Sequence, residues 1–295
     1  MFSFIIPRNV SSRLLVTVLA LVLAMSVLAV GCGRNPDDAG TTGVVQVVGS
    51  DTMVNLGQAW AESFMGDNPK AQIAVTGGGS GTGLAQLING NADLALASRK
   101  IKAQEVEAIE SKGLEVFEYV GARDALSVII HPSNPIDSLT HDQIKAIFTG
   151  EITNWNQIGG ADKTIVLHAR ESSSGTFAFF KEEVLEGESY ATTALHQPSN
   201  QAIAEGVRQD EGGIGYVGLA YLNDDVKAVL VARQEGDTPV EPTVENAAAG
   251  EYPLARPLHI YAAGEPTGTA KQFIEFILSD AGQGIVAEVG FIPVK

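Results

Sequence analysis

The order of apolar runs predicts an α/β protein built from mostly parallel sheets and divided into two domains. Short apolar runs alternate with helix-patterned segments from Val44 onward, which implies βαβ units. A turn cluster, His131-Pro132-Ser133-Asn134-Pro135, marks a boundary near the middle. The length of the chain beyond its N-terminal leader, 264 of 295 residues, fits about two domains.

Taken in order, strands are expected over 44–48, 73–76 and 94–97, each followed by a helix, over 53–64, 84–89 and 102–111. A long apolar strand over 125–130 leads into the turn cluster. Thr140 then caps a helix whose Leu139, Ile144, Ile147 and Phe148 share one face. Residues 150–160 read as a structured loop in which Trp155 packs rather than binds. A strand over 164–169 precedes a helix over 176–185, a helix over 201–208 and strands over 212–217 and 226–231. Residues 234–250 are mostly polar connection with a short helix near Val244, and a strand over 258–262 and an amphipathic helix over 271–278 close the chain. The expected domains are 44–125 with 258–295, and 126–257. The strands over 125–130 and 258–262 would form the hinge, with the ligand in the cleft between the domains.

Residues 1–31 carry Arg8 and Arg13, an apolar run to Val30 and no acid before Asp37. This is the pattern of an export signal, and the small residues before Cys32 favour cleavage over a membrane-spanning reading. Cys32 is the sole cysteine, so the chain can form no internal disulfide. Loss of the leader removes two Arg and no acid, which takes the net charge from −16 to −18. So acidic a chain is a poor candidate for nucleic acid, which rewards basic surfaces. Screening over about 8 Å at physiological salt still lets a closed pocket with local donors hold an anion.

Those donors stand at three junctions between a strand and a helix: Ser50-Asp51-Thr52, Ser80-Gly81-Thr82 and Ser174-Gly175-Thr176, the last just after Arg170. The first amides of a helix have no internal partner and sit at the positive end of its dipole. Hydroxyls and amides there suit an oxyanion, and Arg170 adds a fork of fixed donors. Parallel strands put their carboxyl ends on one edge, so the three loops are expected to converge. Taken singly, each triplet is also an ordinary helix cap.

Gly49-Ser50-Asp51-Thr52, the run 77–83, Ala97-Ser98-Arg99, the segment 139–160 and Arg170 with Ser174-Gly175-Thr176 together resemble the phosphate-binding components of bacterial phosphate ABC transporters. The likeness runs through essentially the whole chain after the leader. It implies a periplasmic-binding-protein-like fold of type II with a two-strand hinge, and a receptor that closes on inorganic phosphate and passes it to the permease subunits. It implies no cofactor, no metal and no catalysis. By the same resemblance Ser50, Thr52, Ser80, Ser98, Arg170, Ser174, Gly175 and Thr176 are ligand-binding positions, with Gly81 and Asp51 inside the matching loops. Cys32 after Gly31 resembles the lipobox of bacterial lipoproteins, which implies lipidation, a linker over 32–43 and an extracytoplasmic, membrane-anchored monomer.

Many relatives carry, after the serine of the third loop, an Asp that accepts the proton of bound phosphate; here Arg99 stands in its place. Arg99 admits two roles, reaching the ligand or pairing with an acid across the domain interface. Asp51 is the only acid within the triplets, and either replaces the missing acceptor or caps the following helix. The donors are chemically generic, so another tetrahedral oxyanion such as sulfate is the alternative ligand. A phosphoester hydrolase is the rival of a different class. Gly78-Gly79-Ser80-Gly81-Thr82 only half matches a nucleophile elbow, and the five His show no metal-ligand spacing.

Overall fold

β1 (Val45–Gly49) lies parallel between β2 (Ile73–Thr76) and β3 (Leu94–Ala97) in the computed structural model, which describes residues 43–295. Parallel neighbours need crossovers. These are a 3-10 turn, Asp51–Met53, running into α1 (Val54–Asp67), and then α2 (Ser80–Asn89); α3 (Ala103–Glu110) follows β3. The expected helix over 53–64 therefore starts two residues early in a tighter turn. The expected helix over 84–89 takes in Ser80, so the second triplet is the first turn of the helix itself.

β4 (Val116–Ile130) corrects the expectation of a strand confined to 125–130. Glu118, Gly121, Arg123 and Asp124 interrupt the apolar run and hide its first half. The strand persists there because β11 (Ala255–Ala263) pairs antiparallel with it from Val116↔Ala263 to Ala125↔Ala255. From Leu126 onward β4 pairs instead with β8 (Gly213–Gly218). One strand thus crosses from one half of the sheet to the other.

The second half is reached through β5 (Ser138–Thr140), α4 (His141–Thr149) and a 3-10 turn at Trp155–Ile158. Thr140 Oγ1 caps α4 by accepting from the Gln143 amide, as its position before an apolar-periodic run predicts. Trp155 is buried and donates its indole N–H to the Gly212 carbonyl at 3.0 Å, a packing role. β6 (Val166–Arg170), α5 (Gly175–Phe179), β7 (Leu195–Gln197), α6 (Asn200–Gln209) and β8 follow. The expected helix over 176–185 divides, because after Phe179 the chain widens into a π-helical turn, Phe180–Val184. The expected strand over 226–231 also divides. β9 (Lys227–Ala228) pairs β4, whereas β10 (Leu230–Ala232) pairs β5 in a separate two-stranded sheet.

α7 (Val244–Ala248), β11, α8 (Gly268–Ile277) and α9 (Asp280–Glu288) complete the described residues. The large sheet has the order β2-β1-β3-β11-β4-β8-β6-β7, with β9 beside β4. Two main cores flank it. Val47, Leu56, Trp60, Leu94, Ile260 and Phe273 form one. Leu126, Val128, Ile147, Phe148, Leu167, Phe180 and Tyr216 form the other. β5, β7 and α9 were not expected: three-residue strands show no alternation, and Gly282 and Gly284 weaken the helical pattern of α9. The export signal over 1–31 and Cys32 lie outside the described residues, as does all but Gly43 of the 32–43 linker.

Candidate anion-binding site

Ser50 and Ser98 immediately follow the carboxyl ends of β1 and β3, and Arg170 ends β6. The chain after β2 turns through Gly79 (φ 97°) into Ser80. A Cβ on Gly79 would lie 2.7 Å from the Ser173 carbonyl oxygen, so both the φ and the space call for glycine. The same carbonyl accepts from the Gly81 amide at 2.9 Å. The loop entering α2 and the loop entering α5, from opposite halves of the sheet, are therefore joined backbone to backbone.

Around this join the expected hydroxyls meet. Ser50 Oγ donates to Ser98 Oγ at 3.0 Å, and Thr52 Oγ1 and Thr176 Oγ1 are 2.9 Å apart. Ser98 Oγ lies 3.4 Å from Ser80 Oγ and 3.5 Å from Thr176 Oγ1. All five are buried. Ser174 Oγ caps α5, accepting from the amides of Thr176 and Phe177 at 3.1 and 3.3 Å. Gly175 abuts the cluster so closely that a Cβ there would lie 2.2 Å from Ser80 Oγ and 2.7 Å from Ser98 Oγ.

Most of these hydroxyls receive a hydrogen bond from a donor that cannot turn round. Ser80 Oγ accepts from the Ser98 amide at 3.0 Å. Ser174 accepts from the two amides of α5, and Thr52 Oγ1 from Asn200 Nδ2 at 3.4 Å. With a lone pair so engaged, a hydroxyl has its own proton left to give. The cluster is thus polarised to donate, which suits an acceptor-rich partner.

Arg170 is 1% exposed. Its Nη2 donates to the Pro198 carbonyl at 2.8 Å, and Nη1 stands 3.2 Å from Asp51 Oδ2 without hydrogen-bond alignment. Nε and Nη1 consequently have no acceptor among the described residues. Each buried unmet donor costs about 1–3 kcal/mol, more when charged, until an acceptor reaches it. Burial pushes the guanidinium pKa below its usual value, and Asp51 opposes that shift.

Asp51 makes no side-chain cap for α1. Its Oδ2 instead accepts from the backbone N and Nδ2 of Asn200 at 3.0 and 2.8 Å. Arg99 stands apart from this group. Its guanidinium forks onto Glu105 at 2.8 and 2.7 Å and also donates to the Lys100 carbonyl. It does pair with an acid, but one six residues along its own segment rather than across the two halves. The carboxylate of Glu105, in the first turn of α3, draws it to that helix start.

Three residues of the cluster were missed in the sequence. Asn200, fully buried, joins Asp51, Thr52 and the Gly218 amide. Arg256 donates through Nη2 to Thr176 Oγ1 at 3.0 Å and through Nη1 to the Ser98 carbonyl at 3.2 Å. Asp124, fully buried, accepts from Arg256 Nε and Nη2 on one carboxylate oxygen at 3.1 and 2.8 Å. The available signal was a charged residue inside each of two strand-forming stretches. No group of three or more His, Cys, Asp or Glu among the described residues is placed to hold a metal ion.

A family profile described as the PBP superfamily domain matches residues 36–281. The phosphate-binding protein PstS of Pseudomonas aeruginosa is 36% identical over 86% of this chain and 84% of its own length. The Bacillus subtilis protein of that name is 35% identical over 93% and 92%. Among solved structures, a putative phosphate ABC transporter substrate-binding protein from Clostridium perfringens, with bound phosphate, superposes with a TM-score of 0.78 at 36% identity. It covers 86% of this chain and all of its own. An ABC-type phosphate transport receptor from Vibrio cholerae gives 0.70 at 29% identity over 84% and 99%. The chain belongs to the PBP superfamily and, within it, to the family of these PstS proteins.

Proposed function

We propose that this protein binds inorganic phosphate outside the cytoplasm and delivers it to the permease of an ABC transporter. The observation that carries the reading is the meeting of Ser50, Thr52, Ser80, Ser98 and Thr176, from loops up to 126 residues apart in the chain, around hydroxyl distances of 2.9 to 3.5 Å. Arg170, with two unmet guanidinium nitrogens, stands at the same place. A tetrahedral oxyanion offers acceptors in several directions at once and would satisfy hydroxyls and guanidinium together. The names of the relatives select phosphate from that class.

In this reading Ser50, Asp51, Thr52, Ser80, Gly81 and Ser98 belong to one domain and Arg170, Ser174, Gly175 and Thr176 to the other. The crossing strands β4 and β11 act as the hinge, and an anion held on one face recruits the other. Arg99, tied to Glu105, supports a helix start rather than the ligand. Asp51 keeps Oδ1 outside its bonds to Asn200, which makes it the acceptor for the one proton that phosphate keeps near neutral pH. Cleavage after Gly31 and lipidation at Cys32 would tether a monomer to the membrane at its permease.

Binding rather than hydrolysis is favoured by the bonding of the hydroxyls. Their partners are other hydroxyls, backbone amides, Asn200 and Arg256; among the described residues none is bonded to a His or a carboxylate that would serve as base. The test is titration calorimetry of phosphate against sulfate across pH, on protein stripped of endogenous ligand. Tight phosphate binding with weak sulfate binding supports the proposal. Preference for sulfate or for a phosphoester, or no binding of any oxyanion, refutes it.

A further inference from the structure

Asp124 and Arg256 face each other directly across β4 and β11. Their place in the sheet is specific: the next residue pair of β4 with β11 is Ala125↔Ala255, after which β4 takes β8 as its partner at Leu126↔Gly218. The ion pair therefore sits where the strand passes from one half of the sheet to the other. Both side chains are closed to solvent, at 0% and 2% exposure. Asp124 Oδ1 also accepts from the Leu219 amide at 3.2 Å, which braces the carboxylate from the end of β8.

From that anchor Arg256 reaches both faces of the hydroxyl cluster. Nη1 is bonded to the carbonyl of Ser98, which follows β3, and Nη2 to the hydroxyl of Thr176, in α5. The ring of Phe179 lies 5.2 Å beneath its guanidinium carbon, a contact that holds the plane of the fork. The charge of Arg256 is matched by Asp124 at close range, so the pair adds little attraction for an anion. What it supplies is direction. A guanidinium has donors only, so the lone pair of Thr176 Oγ1 that it occupies forces the Thr176 proton outward, toward Thr52 or an anion in its place.

We infer that Arg256, braced by Asp124, is a positioning residue for anion capture: it orients the Thr176 hydroxyl as a donor and ties the two halves of the site to the strands that cross between them. The inference rests on the oxyanion reading of the cluster, and deepens it by assigning two residues outside the three hydroxyl loops. Removing Arg256 alone would strand a buried carboxylate. The neutral pair Asp124→Asn with Arg256→Met, close in volume to the original, avoids that loss.

The experiment is a double-mutant cycle read by calorimetry with inorganic phosphate. It compares wild type, Thr176→Val, the neutral pair, and the neutral pair with Thr176→Val, each first shown to be folded by its cooperative thermal unfolding. Phosphate binding by wild type establishes the underlying reading, and its absence overturns that reading and this one together. Given binding, the neutral pair should weaken phosphate at least tenfold. Adding Thr176→Val to it should cost less than threefold more, although Thr176→Val alone costs tenfold or more, because both act through one hydroxyl. Arg256→Lys, which keeps the ion pair but loses the fork, should fall between the wild type and the neutral pair. Unchanged affinity in the folded neutral pair, or losses that simply multiply, would overturn the inference. If the neutral pair does not fold, Arg256→Lys with and without Thr176→Val gives the same non-additivity test.

Discussion

Thr52 Oγ1 and Thr176 Oγ1 lie 2.9 Å apart although 124 residues separate them in the chain. One follows β1 and the other begins α5, so this contact joins the two halves of the sheet side chain to side chain. It is supported from behind on both sides, by Asn200 on Thr52 and by Arg256 on Thr176. Closure of the two halves is therefore a matter of sub-ångström fit, and bulk added at the join should act on binding before it acts on folding.

Gly175→Ala tests that fit. Alanine raises helix propensity at the start of α5 and makes no demand on backbone angles there. Its Cβ would nevertheless overlap Ser80 Oγ at 2.2 Å. The expected outcome is a thermal midpoint within a few degrees of wild type and a loss of phosphate affinity of about 100-fold, on the order of 2.7 kcal/mol. Parallel calorimetry and thermal unfolding read both quantities. A variant that binds as tightly as wild type would show that Gly175 does not approach Ser80 in the closed protein.

Arg170→Ala removes the buried guanidinium and its two unmet donors. Charged hydrogen bonds contribute about 1.5–3 kcal/mol each, so phosphate affinity should fall at least tenfold. Stability without ligand should change less than that, since a desolvated charge leaves together with its single bond to Pro198. Affinity equal to wild type by calorimetry would remove Arg170 from the site.

How much of this was legible beforehand depended on whether local order carried the signal. The three triplets were readable because strand, loop and helix start are contiguous. Ser98 came from the same logic, seen through a resemblance. Arg99 stayed open between two roles for a matching reason: sequence shows a cation beside Ser98 but not that Glu105, in the first turn of α3, pairs with it. Asp124 and Arg256 were out of reach because their meaning is a cross-strand register between residues 132 apart. Asp124, together with Glu118, Gly121 and Arg123, also concealed the first half of β4, since a strand whose charges are paired across the sheet does not look apolar.

Asp51→Asn separates affinity from selectivity. The carboxylate is the one acid in the triplets and keeps Oδ1 outside its bonds to Asn200. A sulfate, with no proton, would meet Asp51 as a like charge, whereas monohydrogen phosphate can donate to it. With Asn the repulsion goes, and the preference for phosphate over sulfate should narrow by at least tenfold in competition calorimetry near pH 7. A preference as strong as in wild type would assign the discrimination elsewhere.

His168 makes stability depend on pH. It lies on β6 at 4% exposure, and neither ring nitrogen has a hydrogen-bond partner among the described residues. Burial pushes its pKa below the ordinary 6.5, against a smaller opposing pull from Asp210. The folded protein therefore resists a proton that the unfolded chain takes up near 6.5. The resulting stability is present above that pH and is lost as pH falls through it toward the lower folded value, at up to about 1.4 kcal/mol per pH unit. Burial lowers the His259 pKa as well, with Glu118 opposing, and adds to the same slope. Thermal midpoints of the ligand-free protein should fall on going from pH 7.5 to 5.5. His168→Asn should flatten that fall even though it lowers the midpoint at pH 7.5 by emptying space beside Gly206, which packs on the ring. An equally steep fall in the variant would place the titrating group elsewhere in the protein.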